Sequence, residues 1–173
     1  MADGRDGADP DEFDRRRRRA MWTMPSGLYL LGSRSGDEWN LMTINWVTQV
    51  AADPKLVGVG VEADAVTHRL VDEGGAFTVC ILRRSDRAVV RKFVQPATRD
   101  AETGALNGFD VIIASTGAPV FAGSAAWLDC QVRHRLDLGT HTFFVGEVVD
   151  CAAPEAADVE VLRMEDTRMN YGG

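Results

Sequence analysis

Nowhere in the 173 residues is there a run of roughly 18 consecutive apolar side chains, the length a membrane-spanning helix needs, so no membrane span is expected. Cysteine is scarce. The three present, Cys80, Cys130 and Cys151, form no CxxC pair. An odd set, two of whose members sit in apolar strand-like runs, reads as reduced, buried thiols in a cytoplasmic protein. Net positive charge is also lacking. The chain carries a formal charge of -7 with a sequence pI of about 4.9, and an acidic surface repels phosphate backbones. Nucleic acid is therefore not expected as a main partner. There is no GxSxG elbow, HExxH pair, Walker loop or GxGxxG fingerprint. If a dinucleotide is used, it binds without a Rossmann domain. The histidines show no metal-ligand spacing, so no metal site is expected.

What is present is ordinary globular composition, 45% hydrophobic and 26% charged, in a chain long enough for one domain with a real core. No internal repeat or linker divides it. Residues 1–22 read as a separate, disordered and charged tail. "MADGRDGADPDEFD" is polar and broken by Gly and Pro, and "RRRRR" at Arg15 to Arg19 follows it. No long apolar stretch comes after the basic run, which argues against a secretory signal. Asp9, Asp11, Glu12 and Asp14 can neutralise the arginines locally. Residues 23–173 form the domain.

Short alternating runs dominate that domain. "GLYLLGSR" (27–34), a strand from Asn40 to Val50, "KLVGVGVE" (55–62), "AFTVCIL" (76–82) and "FDVIIAS" (109–115) all read as strands. The runs 125–138 and 142–151 flank "GTH" and look like an antiparallel hairpin. Two helices interrupt them. One spans "ADAVTHRLVDEGG", with Asp64 as N-cap, Val66, Leu70 and Val71 as its apolar stripe, and Gly74-Gly75 as its stop. The other spans "SDRAVVRKFVQP", from a Ser85 cap to Pro96. So few helices do not suit a parallel βαβ sheet. The expected fold class is mainly β: a closed or nearly closed antiparallel barrel with short helical insertions, which removes strand edges.

The stretch "MTINWVTQVA" (42–51) has one face of Met42, Ile44, Trp46 and Val50. Its other face offers Thr43, Asn45 and Gln49, with Thr48 close by. Hydroxyls and amides of this kind suit a flat ring with carbonyls at one edge, or they simply face water. Gly58 and Gly60 share a strand face on which another backbone or a flat ligand could approach.

Four separated segments together resemble one family: "GLYLLGSRSGDEWNLMTINWVTQVAADPKLVGVGVE", "THRLVDEGGAFTVCIL", "GAPVFAGSAAWLDCQV" and "LGTHTFFVGEVVD". In this order and spacing they resemble the flavin reductase-like family, the FMN-binding split barrels. "DTRMNYGG" also looks like tails seen in some members. The resemblance implies a six-stranded antiparallel Greek-key barrel, a homodimer, and flavin bound near the dimer interface. It implies an NAD(P)H:flavin oxidoreductase that takes FMN or FAD, with NADH or NADPH as hydride donor. Such an enzyme supplies reduced flavin to a separate monooxygenase or another acceptor. A non-catalytic FMN-binding protein or flavodoxin-like electron carrier on the same barrel is the alternative.

The resemblance also distributes roles. It gives flavin contacts to Thr43, Asn45, Trp46 and Thr48, and Gln49 adds a further amide. It gives the flavin phosphate to Thr67 at a helix start, with His68 beside it. His141 occupies the histidine of a Gly-Asp-His turn that in the family lies beside the flavin and orients the nicotinamide. Here that turn is Gly139-Thr140-His141, so Thr stands where the family has Asp. A histidine that only caps the turn is the competing expectation.

Overall fold

The computed structural model describes residues 9–153, 158–167 and 169. Nine strands form: β1 Tyr29–Ser35, β2 Glu38–Ile44, β3 Val47–Ala52, β4 Lys55–Glu62, β5 Ala76–Ile81, β6 Val111–Ile113, β7 Pro119–Phe121, β8 Ala126–Asp137 and β9 His141–Ala152. Two α-helices accompany them, α1 Pro10–Trp22 and α2 Val66–Gly74. Seven strands make one antiparallel sheet in the order β2-β1-β5-β8-β9-β4-β3, and β6-β7 is a separate hairpin. Only Asn45 and Trp46 separate β2 at one end of that order from β3 at the other. The two are halves of one bent strand, which closes the sheet into a barrel of six strands. The mainly β barrel expected from the pattern is the fold observed.

The barrel interior is filled by alternate residues of every stave: Leu31, Ile44, Val57, Val59, Val61, Phe77, Val79, Cys130 and Phe144, with Val71 of α2 packed among them. A second core lies on the opposite face of β1, β2 and β5. There Leu30, Leu41 and Cys80 meet Val90, Phe93, Val120 and Leu162. Gly32 is where this outer layer docks most closely. A Cβ there would stand 1.9 Å from the Pro119 carbonyl oxygen and 2.2 Å from the Thr78 hydroxyl. Cys80 and Cys130 are buried and unpaired, as the sequence pattern suggested, while Cys151 is exposed. Burial pushes the Cys80 thiol up to about 11 and the Cys130 thiol up to about 12.

Four expectations need correction. The tail expected to be disordered over 1–22 is helical from Pro10 to Trp22, while its first eight residues lie outside the described residues. Its local chemistry explains the helix. Asp9 accepts a hydrogen bond from the Asp11 amide at 3.1 Å, Pro10 stands at the first helical position, and acids precede bases as the helix dipole favours. Asp14 pairs with Arg17, and with Arg18 at 3.0 Å.

The single strand from Asn40 to Val50 is broken at Asn45–Trp46, where the Val47 amide bonds back to the Asn45 carbonyl at 3.0 Å. The second helix is two 3-10 turns, Arg84–Asp86 and Val89–Phe93. Ser85 bonds to the Asp86 carboxylate instead of capping, and the β-branched Val89 and Val90 disfavour a longer helix. At α2 the N-cap is Ala65, not Asp64, and no side chain caps it. The remaining expected elements match their positions within a few residues, while β7 forms at Pro119–Phe121 where no strand was expected. No described helix is long and apolar enough to cross a membrane.

Candidate functional site

The bend between β2 and β3 divides the polar residues of "MTINWVTQVA" into two groups. Before it, the side chains are used inside the protein. Asn40 donates to the Thr67 hydroxyl at 2.7 Å and accepts from the Ala97 amide at 2.8 Å. Thr43 donates to the Val90 carbonyl at 2.6 Å. After the bend, the side chains open outward. Asn45 is half-buried, and its carboxamide has no hydrogen-bond partner among the described residues. Thr48 is exposed, with one long contact of 3.3 Å to the Gln49 carbonyl. The exposed Gln49 folds back onto the Ala51 carbonyl at 3.1 Å.

Trp46 turns the corner and does not join Met42 and Ile44 in the barrel interior. Its carbonyl accepts from the Gly60 amide at 3.0 Å, and its ring lies over Gly60, where a Cβ would stand 3.1 Å from it. The indole is 41% exposed and its ring centroid is 4.5 Å from that of His141. Gly58 is covered by the ring of Phe143. The bare glycine face of β4 thus receives the chain's own aromatic side chains. The outcome is a wall of Trp46, His141 and Phe143 on the outside of the barrel, next to the open amide of Asn45.

His141 opens β9 at a turn that Gly139 makes possible with its φ of +87°. Thr140 places its hydroxyl 3.0 Å from His141 Nδ1, so the residue standing in place of the family's Asp still touches the ring nitrogen. Next along β9, Thr142 points the opposite way and is buried. Its hydroxyl is 2.8 Å from His68 Nε2, which fixes the His68 ring against Phe144. Glu62 pairs with His141 across β4–β9, and the Ala63 amide bonds to the Thr140 carbonyl at 3.0 Å. These contacts join the bend, the end of β4, the start of α2 and the β8–β9 turn into one region.

Two of the expected ligand residues are placed differently. Thr67 is fully buried with its hydroxyl engaged by Asn40, so the side chain does not reach solvent where a phosphate would sit. It became buried because α2 seats its first turn on the barrel end, where Thr67 lines up with Leu70 and Val71. Thr43 is likewise satisfied within the protein. Asn45, Trp46, Thr48, Gln49 and His141 reach the outer face, with His68 just behind it. Thr142 went unnoticed in the sequence, and Thr140 was read only as a departure from the family's Asp, not as a partner of the His141 ring. Strand alternation through "THTF" was the available signal, since it sends His141 and Thr142 to opposite faces. An aromatic wall with an unpaired carboxamide at its foot fits a flat heteroaromatic ring that carries carbonyls and ring nitrogens along one edge.

The chain belongs to the flavin reductase-like domain family, whose model matches residues 21–173. It is 31% identical over 133 residues to the NADH-dependent FAD reductase of Streptomyces globisporus, covering 76% of this chain and 72% of that one. It also spans 58% of the length of the high molecular weight rubredoxin of Moorella thermoacetica, at 28% identity over 78% of this chain. Among solved structures, the Streptomyces globisporus NADH:FAD oxidoreductase in complex with NAD and FAD fragments superposes with a TM-score of 0.76. It is 27% identical, and 96% of each chain is covered. The styrene monooxygenase flavin reductase of Pseudomonas putida gives a TM-score of 0.68 at 27% identity, covering 79% of this chain and 87% of that one.

Proposed function

We propose that the protein is an NAD(P)H-dependent flavin reductase that delivers reduced flavin to a separate monooxygenase or another acceptor. The observation that carries this reading is the open Asn45 carboxamide beside the Trp46–His141 pair, on a chain similar to NADH-dependent reductases. Flavin, when bound, supplies an acceptor for the hydride of a reduced nicotinamide. The chain's own part is positioning. Asn45 and Thr48 offer donors and acceptors to the polar edge of the ring, and Trp46 walls its apolar body. His141, its ring held by Thr140, orients the carboxamide of the nucleotide. Likeness to a styrene monooxygenase flavin reductase supports a monooxygenase as the acceptor. The reading includes a homodimer in a reducing compartment such as the cytoplasm, where the three free thiols are stable.

A second reading keeps the flavin bound and passes electrons to a protein partner. It is favoured by the likeness to a high molecular weight rubredoxin. One assay separates the two: oxidation of NADH and NADPH by purified protein, with FMN or FAD added in excess. Turnover that rises with free flavin supports the reductase. Tightly bound flavin with no turnover of added flavin supports the carrier. Protein that neither binds flavin nor oxidises either nucleotide overturns both.

A further inference from the structure

Around Trp39 the protein holds more hydrogen-bond donors than it uses. Trp39 lies in β2 opposite Arg34 of β1, beside the turn that joins the two strands. Counted along β2, that is about 20 Å from Asn45 and the bend. The guanidinium of Arg34 stands 5.2 Å from the centroid of the indole, and that of Arg99 stands 3.8 Å from it. The loop after Pro96 brings Arg99 there. Its Ala97 amide bonds to Asn40, the neighbour of Trp39, and Asn107 ties it to the Lys92 carbonyl at 2.7 Å.

Two cations on one ring repel each other, and among the described residues neither is paired with a carboxylate. Arg34 is half-buried. It uses Nε on the Gly36 carbonyl at 2.6 Å, which leaves its terminal nitrogens open. The exposed Arg99 side chain makes no hydrogen bond among the described residues. Trp39 Nε1 is buried and has no acceptor either. A buried N–H left without a partner is rare and costly. The cluster therefore offers donors and positive charge, with nothing of its own to receive them.

An oxyanion supplies what is missing, and arginine forks match the oxygens of a phosphate. There is room beside Arg34, in a cleft of about 270 Å³ that Thr116 and Gly117 also line. Gly117 faces an Arg34 terminal nitrogen with no side chain of its own; a Cβ there would stand 3.8 Å from that nitrogen. The one acid on the cleft, Glu73, is engaged by Arg69 at 3.2 Å.

We propose that Arg34, Arg99 and Trp39 form a binding site for a phosphate group, as the free ion or as part of a nucleotide. The two guanidinium groups clamp its oxygens, and Trp39 Nε1 donates a further bond as Arg99 lifts from the ring. The anion relieves the repulsion between the arginines and satisfies the indole. The site is separate from the bend and does not rest on the reductase reading.

The indole is its own reporter. The chain has four tryptophans, each giving one indole signal in a proton–nitrogen correlation spectrum. Trp39→Phe and Trp46→Phe identify two of them by their loss. The full chain is titrated with inorganic phosphate at an ionic strength held constant with chloride. The Trp39 signal is expected to move downfield and saturate, while the Trp46 signal stays in place. An unmoved Trp39 signal, or the same movement with chloride alone, overturns the proposal.

Arg99→Gln changes an exposed loop residue and is expected to weaken phosphate binding severalfold, with the melting temperature nearly unchanged. Arg99→Lys keeps the charge without the fork and is expected to fall between Arg99→Gln and the unaltered chain. Equal affinity in all three overturns the proposal. A titration with AMP, followed by the same signal, distinguishes the sources. Tighter binding than inorganic phosphate assigns a nucleotide, and equal binding assigns the free ion. Flavin reduction by Arg99→Gln is expected to be unchanged, so loss of this site is distinguishable from loss of the reductase reading.

Discussion

The two halves of the bent strand differ in what they do with the same kinds of side chain. In β2, Asn40 and Thr43 are buried, and their side chains bond to Thr67, Ala97 and Val90. From Asn45 to Gln49 two amides, a hydroxyl and an indole face outward, held by backbone contacts to β4. Residue type therefore does not separate a packed polar group from an open one. The side of the bend does, because the bend decides whether a side chain meets a packed layer or open space.

The division is broken most forcefully at Asn40. Asn40→Ala strands the Ala97 amide and removes the Thr67 contact. It is expected to cost about 2–4 kcal/mol of stability, measured by urea denaturation, since each buried group left unpaired costs about 1–3 kcal/mol. Beyond the bend, Asn45→Ala is expected to leave the denaturation midpoint nearly unchanged. It should weaken flavin binding by about 1–3 kcal/mol in a fluorescence titration. A large stability loss at Asn45 with intact flavin affinity would erase the difference between the halves.

At the facing turn, His141→Ala is expected to raise the KM for the nicotinamide nucleotide roughly tenfold, about 1.4 kcal/mol, with flavin affinity little changed. An unaltered KM together with a lower melting temperature would make His141 a turn residue only. A smaller effect sharpens the same comparison at Thr43. Thr43→Val keeps the shape but removes the bond to the Val90 carbonyl, for an expected loss of about 1 kcal/mol of stability and none of flavin affinity. Weaker flavin binding there would return Thr43 to the ligand face. The smallest effect is expected at Thr140. Thr140→Val should raise the nucleotide KM by no more than about threefold, roughly 0.6 kcal/mol, because it frees the His141 ring without removing it.

Much of the barrel could be read directly from alternation. The runs 27–34, 55–62, 76–82 and 125–151 lie where β1, β4, β5 and the β8–β9 hairpin form, because each buries one face and period two is a strong signal. The bend was not readable. Met42, Ile44 and Trp46 keep perfect alternation, and nothing local shows that Asn45 will turn back on itself. Only closure of the barrel demands it. The burial of Thr67 was hidden for a related reason. A Thr near a helix start suits an anion in isolation, but the burial of that turn is set by β1 and β2, more than 20 residues away in sequence. In the tail, composition suggested disorder while capping and charge order gave a helix. Asp9, Pro10 and the acid-before-base sequence were all visible, and composition outweighed them.

β1 is covered twice, by the barrel core on one face and by the docked outer layer on the other, with β2 and β5 bonded along its edges. That position sets a clock. The amide protons of Leu30, Leu31 and Gly32 can meet solvent only when the whole domain opens, so their exchange reports global unfolding. The exposed β8–β9 tip, from Leu136 to Thr140, can open alone. It is there, beside His141, that the molecule keeps its fastest time.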